Sequence, residues 1–362
     1  MKRVLVVVAV LVLVAAIAWV VSVSGRANPP AGVSSQPGES VVALAEGLEI
    51  PWALAFLPDG DIIVTERPGR VRLVDASEGL REEPLLELPH VQHRGEGGLL
   101  GIALHPDFPD SPYVYLYYTY DGPGGTANRV SRFPWDDFTV TREEVLIENI
   151  PGGRVHNGGR IKFGPDGMLY VTTGDSGTTS LAQEVDSLAG KILRLTPDGT
   201  VPADNPFGGS PVYSFGHRNP QGLAWDGNGR LWATEHGSSA TDELNLIQPG
   251  HNYGWPEIRG DETGQDMETP VLNSGSDTWA PSGMAFMDGS LYFAGLRGSS
   301  LYEIQLDGEP SLTRHLAGEF GRLRAVAAGP DGNLFILTSN RDGRGTFVQE
   351  DDRLVRIYPD AL

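Results

Sequence analysis

The chain has 362 residues, no cysteine, and a formal net charge of -20 from 47 Asp plus Glu against 27 Lys plus Arg. The missing cysteines exclude disulfides, thiolate metal sites, cysteine nucleophiles and a lipobox-type lipid anchor, and the charge is opposite to the basic footprint of a nucleic-acid binder. The length fits two domains or one large all-β domain.

In chain order, Lys2 and Arg3 come first, followed by an apolar run from Val4 to Val23. A signal-peptide core is ~7–15 residues and a spanning helix needs ~20, so residues 1–23 read as a signal peptide or a membrane anchor. Either delivers the remainder of the chain outside the cytoplasm, because the positive charges stay inside. That remainder is then secreted or held on the outer face of the membrane. Residues 24–40, rich in Pro, Gly and Ser, read as a flexible linker.

From Val41 to Leu362 no long stretch has a period of 3.6. What recurs is an aspartate-glycine turn followed by an apolar strand: FLPDGDIIVTE at 56–66, LHPDFPDSPYVYLYYT at 104–119, FGPDGMLYVTTGD at 163–175, WDGNGRLWATEHG at 225–237, FMDGSLYFAG at 286–295 and AGPDGNLFILTSN at 328–340. Asp-Gly favours tight turns between antiparallel strands. Intervals of roughly 40–60 residues are those of propeller blades. One four-stranded sheet cannot bury both faces, whereas a closed ring can. The expected fold is therefore an all-β, six-bladed propeller over 41–362. VVALAEGL at 41–48 would close the ring by joining RLVRIYP at 353–359 in the last blade.

Five loops carry more polar content than turns need. Glu96 lies among Gly95, Gly97 and Gly98, as a tight turn with a solvated carboxylate or as part of a site. Two glycine pairs flank His156, and Arg160 follows; His156 has the pKa range of a base or acid. Asp175 ends the next strand, so a turn at 165–167 would return it to orient the imidazole. Arg218 and Asn219 precede Pro220, with the arginine either buttressing blades or meeting a carboxylate or quinone-like oxygen. Glu235, Asp242 and Glu243 accompany Gly237 and Ser238, oxygen-rich as a Ca2+ site is, but without EF-hand spacing. HNYGWP at 251–256 reads as packing and turn residues. Arg297, Arg322 and Arg324 complete the set. The last two alternate on a strand and share one face, solvated or clamping an anion.

The segments PWALAFLPDGDIIVTERPGRV, GEGGLLGIALHPDF, HNGGRIKFGPDGMLYVTTGD, GKILRLTPDG, SFGHRNPQGLAW, DELNLIQPGHNYGWP and GRLRAVAAGPDG follow one another in that order. Together they make the chain, over about 41–359, resemble the soluble glucose and aldose sugar dehydrogenases that use pyrroloquinoline quinone (PQQ), the glucose/sorbosone dehydrogenase family. The resemblance implies a six-bladed propeller with PQQ across its axis and a Ca2+ ion beside it. It also implies oxidation of an aldose at C1 to an aldonolactone. In that reading His156 is the base, Asp175 orients it, and the hydride passes to PQQ. Arg218 and Asn219 flank the reactive carbonyl, while the carbonyl oxygens of Gly237 and Ser238 hold Ca2+. Glu96, Arg297, Arg322 and Arg324 contact the cofactor.

Departures from the family pattern are Glu96 for a common glutamine, Arg297 for lysine, Ser238 for proline and Ala325 for aspartate. The long insertions of glucose-specific members are absent, which points to the broader aldose branch. The reading implies a monomer, a small-molecule aldose, and an electron acceptor the sequence does not identify. A Ca2+-dependent lactonase using Glu235 and Asp242, and a non-catalytic binding propeller, are the other readings.

Overall fold

The computed structural model describes residues 40–362. The signal or anchor segment 1–23 and the linker 24–40, save Ser40, lie outside the described residues. Among the described residues no helix is long and apolar enough to cross a membrane.

Six antiparallel sheets form in chain order, each from one copy of the repeat. Blade 1 runs Pro51–Phe56, Ile62–Glu66 and Arg70–Asp75, with two short strands, Gly79–Leu80 and Leu86–Glu87, on its third. Blade 2 begins at Leu99–Leu104, blade 3 at Ile161–Phe163, blade 4 at Pro220–Trp225, blade 5 at Pro281–Met287 and blade 6 at Leu323–Ala328. These first strands pack neighbour to neighbour around the axis, except between blades 3 and 4, where the second strand of blade 3, Leu169–Thr173, meets the first of blade 4. The repeated turns, Asp-Gly in every blade but the second, connect each first strand to its second. In most copies the aspartate carboxylate accepts the N–H two residues on, as Asp166 does from Met168 and Asp226 from Asn228. Val41–Ala45 pairs with Leu354–Ile357, Val41 opposite Ile357, so the two ends of the propeller domain close blade 6 as the sequence suggests.

The cores lie between blades. One cluster joins Ile62, Val64 and Val74 of blade 1 to Phe335, Leu337 and Leu354 of blade 6, and another joins Trp232 and Leu244 of blade 4 to Leu291 and Phe293 of blade 5. Each fully buried Leu, Ile or Phe contributes about 1.5–3 kcal/mol, and the second strands of blades 1, 3, 4 and 6 are buried along their whole length. Polar seams lock neighbours together: Thr65 Oγ1 of blade 1 donates to Leu100 O of blade 2 at 2.6 Å. The ring thus has two unlike ends. The six turns form one, and the segments that enter each first strand, together with the loops between second and third strands, form the other.

Candidate active site

The second of these ends gathers the chemistry. Gly158 and Gly159, at φ of 61° and 104°, pass beside the strand Leu169–Thr173, where a Cβ on Gly158 would crowd Thr172 and Thr173. That approach turns the preceding His156 into the left-handed region at φ of 56°, a conformation few non-glycine residues hold without surrounding support. The support is visible. His156 N–H donates to Glu96 Oε2 at 2.9 Å, and Gly158 N–H donates to Asn219 Oδ1 at 3.0 Å. The glycine pairs around the histidine are spacers for close backbone passage.

Asp175 returns to His156 at the end of that strand. Its Oδ1 lies 2.6 Å from His156 Nδ1 and accepts Gly177 N–H at 2.7 Å, while Oδ2 accepts Trp255 Nε1–H at 2.8 Å. Burial works to raise the Asp175 pKa. The bonds from His156, Gly177 and Trp255 outweigh it and hold the carboxyl below its ordinary range. With Nδ1 engaged, His156 Nε2 is the nitrogen free of partners among the described residues. The geometry is that of a base and its orienting acid.

Arg218 stacks on Trp255, 5.2 Å from guanidinium carbon to ring centre, and donates from Nη1 to His236 O at 3.2 Å. Trp255 therefore braces both Asp175 and Arg218. The sequence reading placed it among packing residues, and the structure corrects that: its ring is a brace of the site and its N–H a fixed donor. Nothing local in HNYGWP signals this, because the partners lie 80 and 37 positions away.

Arg322 donates from Nε and Nη2 to Asp342 Oδ2 at 3.1 and 2.8 Å, and Arg324 Nη2 lies 3.8 Å from the same oxygen. The two arginines do share a face, and the anion between them includes the chain's own Asp342, a residue the sequence reading missed. Arg324 also donates from Nη1 to Gln221 Oε1 at 2.9 Å. Arg344, also missed, donates to Glu96 Oε1 at 2.8 Å across 248 positions. Both Glu96 oxygens are thereby engaged within the protein. Burial favours its neutral form, but the His156 N–H and the charges of His236 and Arg344 prevail and bring its pKa to about 2. Arg67 buttresses the glycine turn around Glu96 by donating to the carbonyls of Gly95 and Gly97. Arg297 stands apart, exposed on the turn between Ser290–Gly295 and Ser300–Gln305.

Several groups are left over. Arg218 Nε, Arg324 Nε and His236 Nε2 are buried without partners among the described residues. The carbonyl oxygens of Gly237 and Ser238 accept no hydrogen bond from the described residues. They border a cavity of about 10 Å³ with Arg218, Glu235 and His236. Unmatched guanidinium donors beside unmatched carbonyls suit a polyanion with a hard cation next to it. The carboxylates nearby are occupied. Asp242 accepts N–H groups of Gly237, Trp279 and Ala280, and Glu235 lies 3.1 Å from His217.

The glucose/sorbosone dehydrogenase family model matches residues 48–354. The chain is 47% identical to the PQQ-bound aldose sugar dehydrogenase of Streptomyces coelicolor, over 88% of this chain and 98% of that one, with a TM-score of 0.82. It is 35% identical to aldose sugar dehydrogenase YliI of Escherichia coli (strain K12), covering 84% of this chain and 91% of that protein. It is 37% identical to quinoprotein glucose dehydrogenase B of Acinetobacter calcoaceticus, covering 60% and 52%.

Proposed function

The chain belongs to the glucose/sorbosone dehydrogenase family and is a sugar dehydrogenase of its PQQ type, and from that premise we propose that it oxidises aldoses at C1 to aldonolactones with PQQ and Ca2+. The observation that carries this is the juxtaposition of the His156–Asp175 pair with partnerless donors of Arg218 and Arg324 on one face of the ring.

In this reading Arg322 and Arg324 hold the cofactor carboxylates and the Gly237 and Ser238 carbonyls hold Ca2+, with Arg218 and Asn219 beside the reactive carbonyl. PQQ, when bound, supplies the two-electron acceptor for the hydride from C1. His156 Nε2 takes the proton of the anomeric hydroxyl. Asp175 fixes the ring through Nδ1–H and stabilises the imidazolium that results. Arg218, held on Trp255, supplies positive charge in a half-buried setting where it acts strongly. Glu96 keeps the His156 backbone in its turn; this reading gives it no cofactor contact. Arg297 has no partner among the described residues and is exposed, so it serves as a reaching cation rather than a fixed one. The enzyme acts as a monomer outside the cytoplasm, delivered by residues 1–23, and passes its electrons to a separate acceptor.

A lactonase would need Glu235 and Asp242 on its metal, and both are committed elsewhere. The test is reconstitution of purified protein with PQQ and Ca2+, followed by an aldose panel with a redox dye. Sugar-dependent dye reduction that needs both additions is expected. Lactone hydrolysis without PQQ, or no change in PQQ absorbance on titration, would overturn the reading.

A further inference from the structure

Below the site, along the axis, the ring carries positive charge that the dehydrogenase reading does not use. Arg160 and Lys162 sit two residues apart at the start of blade 3 and both line a cavity of about 290 Å³ near the turn end. The rest of its wall comes from the first strands of blades 1, 2, 5 and 6, including Leu54, Ile102, Met284 and Val326, and no carboxylate is among the lining residues. Each first strand has a sheet partner on one side only, so its other edge turns main-chain N–H and C=O groups toward the axis.

The two cations are poorly matched. Arg160, 9% exposed, donates from Nε to Gln221 O at 2.8 Å and stacks on Trp52 at 4.0 Å, but its Nη2 is buried without a partner. Gly283, across the channel, leaves room for that nitrogen, since a Cβ there would stand 3.2 Å from it. Lys162 is half-buried, and among the described residues its Nζ reaches only Leu223 O, at 3.5 Å. Lys191 in the same blade shows what a matched buried lysine looks like: it donates to the carbonyls of Leu181, Ala182 and Ala189 at 2.8, 3.1 and 2.6 Å. Burial, and then the charge of Arg160, presses the Lys162 pKa down to about 8. The positive charge of Arg324 also acts on Arg160. Cations in a largely apolar wall are costly unless a counter-charge accompanies them.

We propose that this channel cavity is a binding site for a small inorganic monovalent anion of the chloride class, held by Lys162 Nζ and inner-edge N–H groups beside the uncompensated guanidinium charge of Arg160. The space admits an anion and several waters. The site is separate from the PQQ and Ca2+ positions and opens toward the opposite end of the ring.

The experiment uses the full-length protein. Crystals grown without halide and soaked in sodium bromide are measured at the bromine edge, and thermal midpoints are recorded in chloride and in isethionate at equal ionic strength. The expected result is an anomalous peak in hydrogen-bond reach of Lys162 Nζ and a saturable rise of the midpoint with chloride that isethionate does not give. Lys162→Met should lose the peak and the chloride-specific rise, with aldose oxidation unchanged. Water density alone in the wild-type cavity, or equal midpoints in the two salts, overturns the proposal, and the wild-type data decide it even if the variant does not fold.

Discussion

The two ends of the strand Leu169–Thr173 show how one repeat serves two purposes. At one end Pro165, Asp166 and Gly167 form the turn that, with variations, recurs in every blade, where the aspartate satisfies its own backbone and the glycine takes a φ of 74°. Six residues separate that turn from the other end, where Gly174 and Asp175 break the pattern. There the aspartate reaches a histidine of the preceding loop and a tryptophan of blade 4. Local satisfaction marks the folding end, and partners from other loops and the neighbouring blade mark the chemical end. Substitutions at the two ends should therefore fail in different ways.

The largest effect is expected from His156→Ala. Removing a positioned base costs typically ~10²–10⁴-fold, so dye reduction should fall by at least a hundredfold while the thermal midpoint and PQQ titration stay near wild type. Activity within tenfold of wild type would remove His156 from the role of base. Next is Gly174→Ala. A Cβ there would overlap the His156 carbonyl and crowd Asn219 Oδ1, displacing the base without removing it. Because a misplacement of ~1 Å costs on the order of 10²-fold, kcat should fall by about that factor, read against unchanged secondary structure by circular dichroism.

The fold was legible because its signals are local. Each turn, Asp-Gly in five copies and Pro-Asp-Phe-Pro in the sixth, is written within a few residues, and a ring follows from counting the turn–strand units. The dyad was legible in part, since His156 and Asp175 are 19 apart and joined by one hairpin. Asp342, Arg344 and Trp255 were not. Their importance exists only once the ring closes: Arg344 meets Glu96 because the second-to-third-strand loop of blade 6 and the segment entering blade 2 converge on the same end of the ring, and Asp342 meets Arg322 across a strand pair. Glu96 shows the same limit in reverse. Its glycine-rich setting pointed to a site, but which donor its second oxygen would meet depended on an arginine 248 positions later.

Trp255→Phe sharpens the contrast by removing one donor and keeping the ring. Asp175 loses a bond that stabilises its ionised form, so its pKa rises toward the unfolded value of ~3.9. A carboxyl with a depressed folded pKa contributes stability above its unfolded pKa and loses it as pH falls through the folded one. The variant should thus begin to lose stability at a higher pH than wild type. The acid limb of kcat/KM should move up with it, and kcat near neutrality should fall by about tenfold or less. An unmoved acid limb would show that the tryptophan only packs.

The smallest effect belongs to the folding end. Gly167→Ala meets no neighbouring atom, so only the left-handed φ of 74° resists it, at about 1 kcal/mol. In a chain of this size that lowers the midpoint by no more than about 4 °C, and kcat with a saturating aldose should not change. The pair Gly167→Ala and Gly174→Ala is thus one chemical change at the two ends of one strand, read once as stability and once as turnover. If both variants lost turnover alike, the turns would be coupled to the site through the strand. The division between a folding end and a chemical end would then fail.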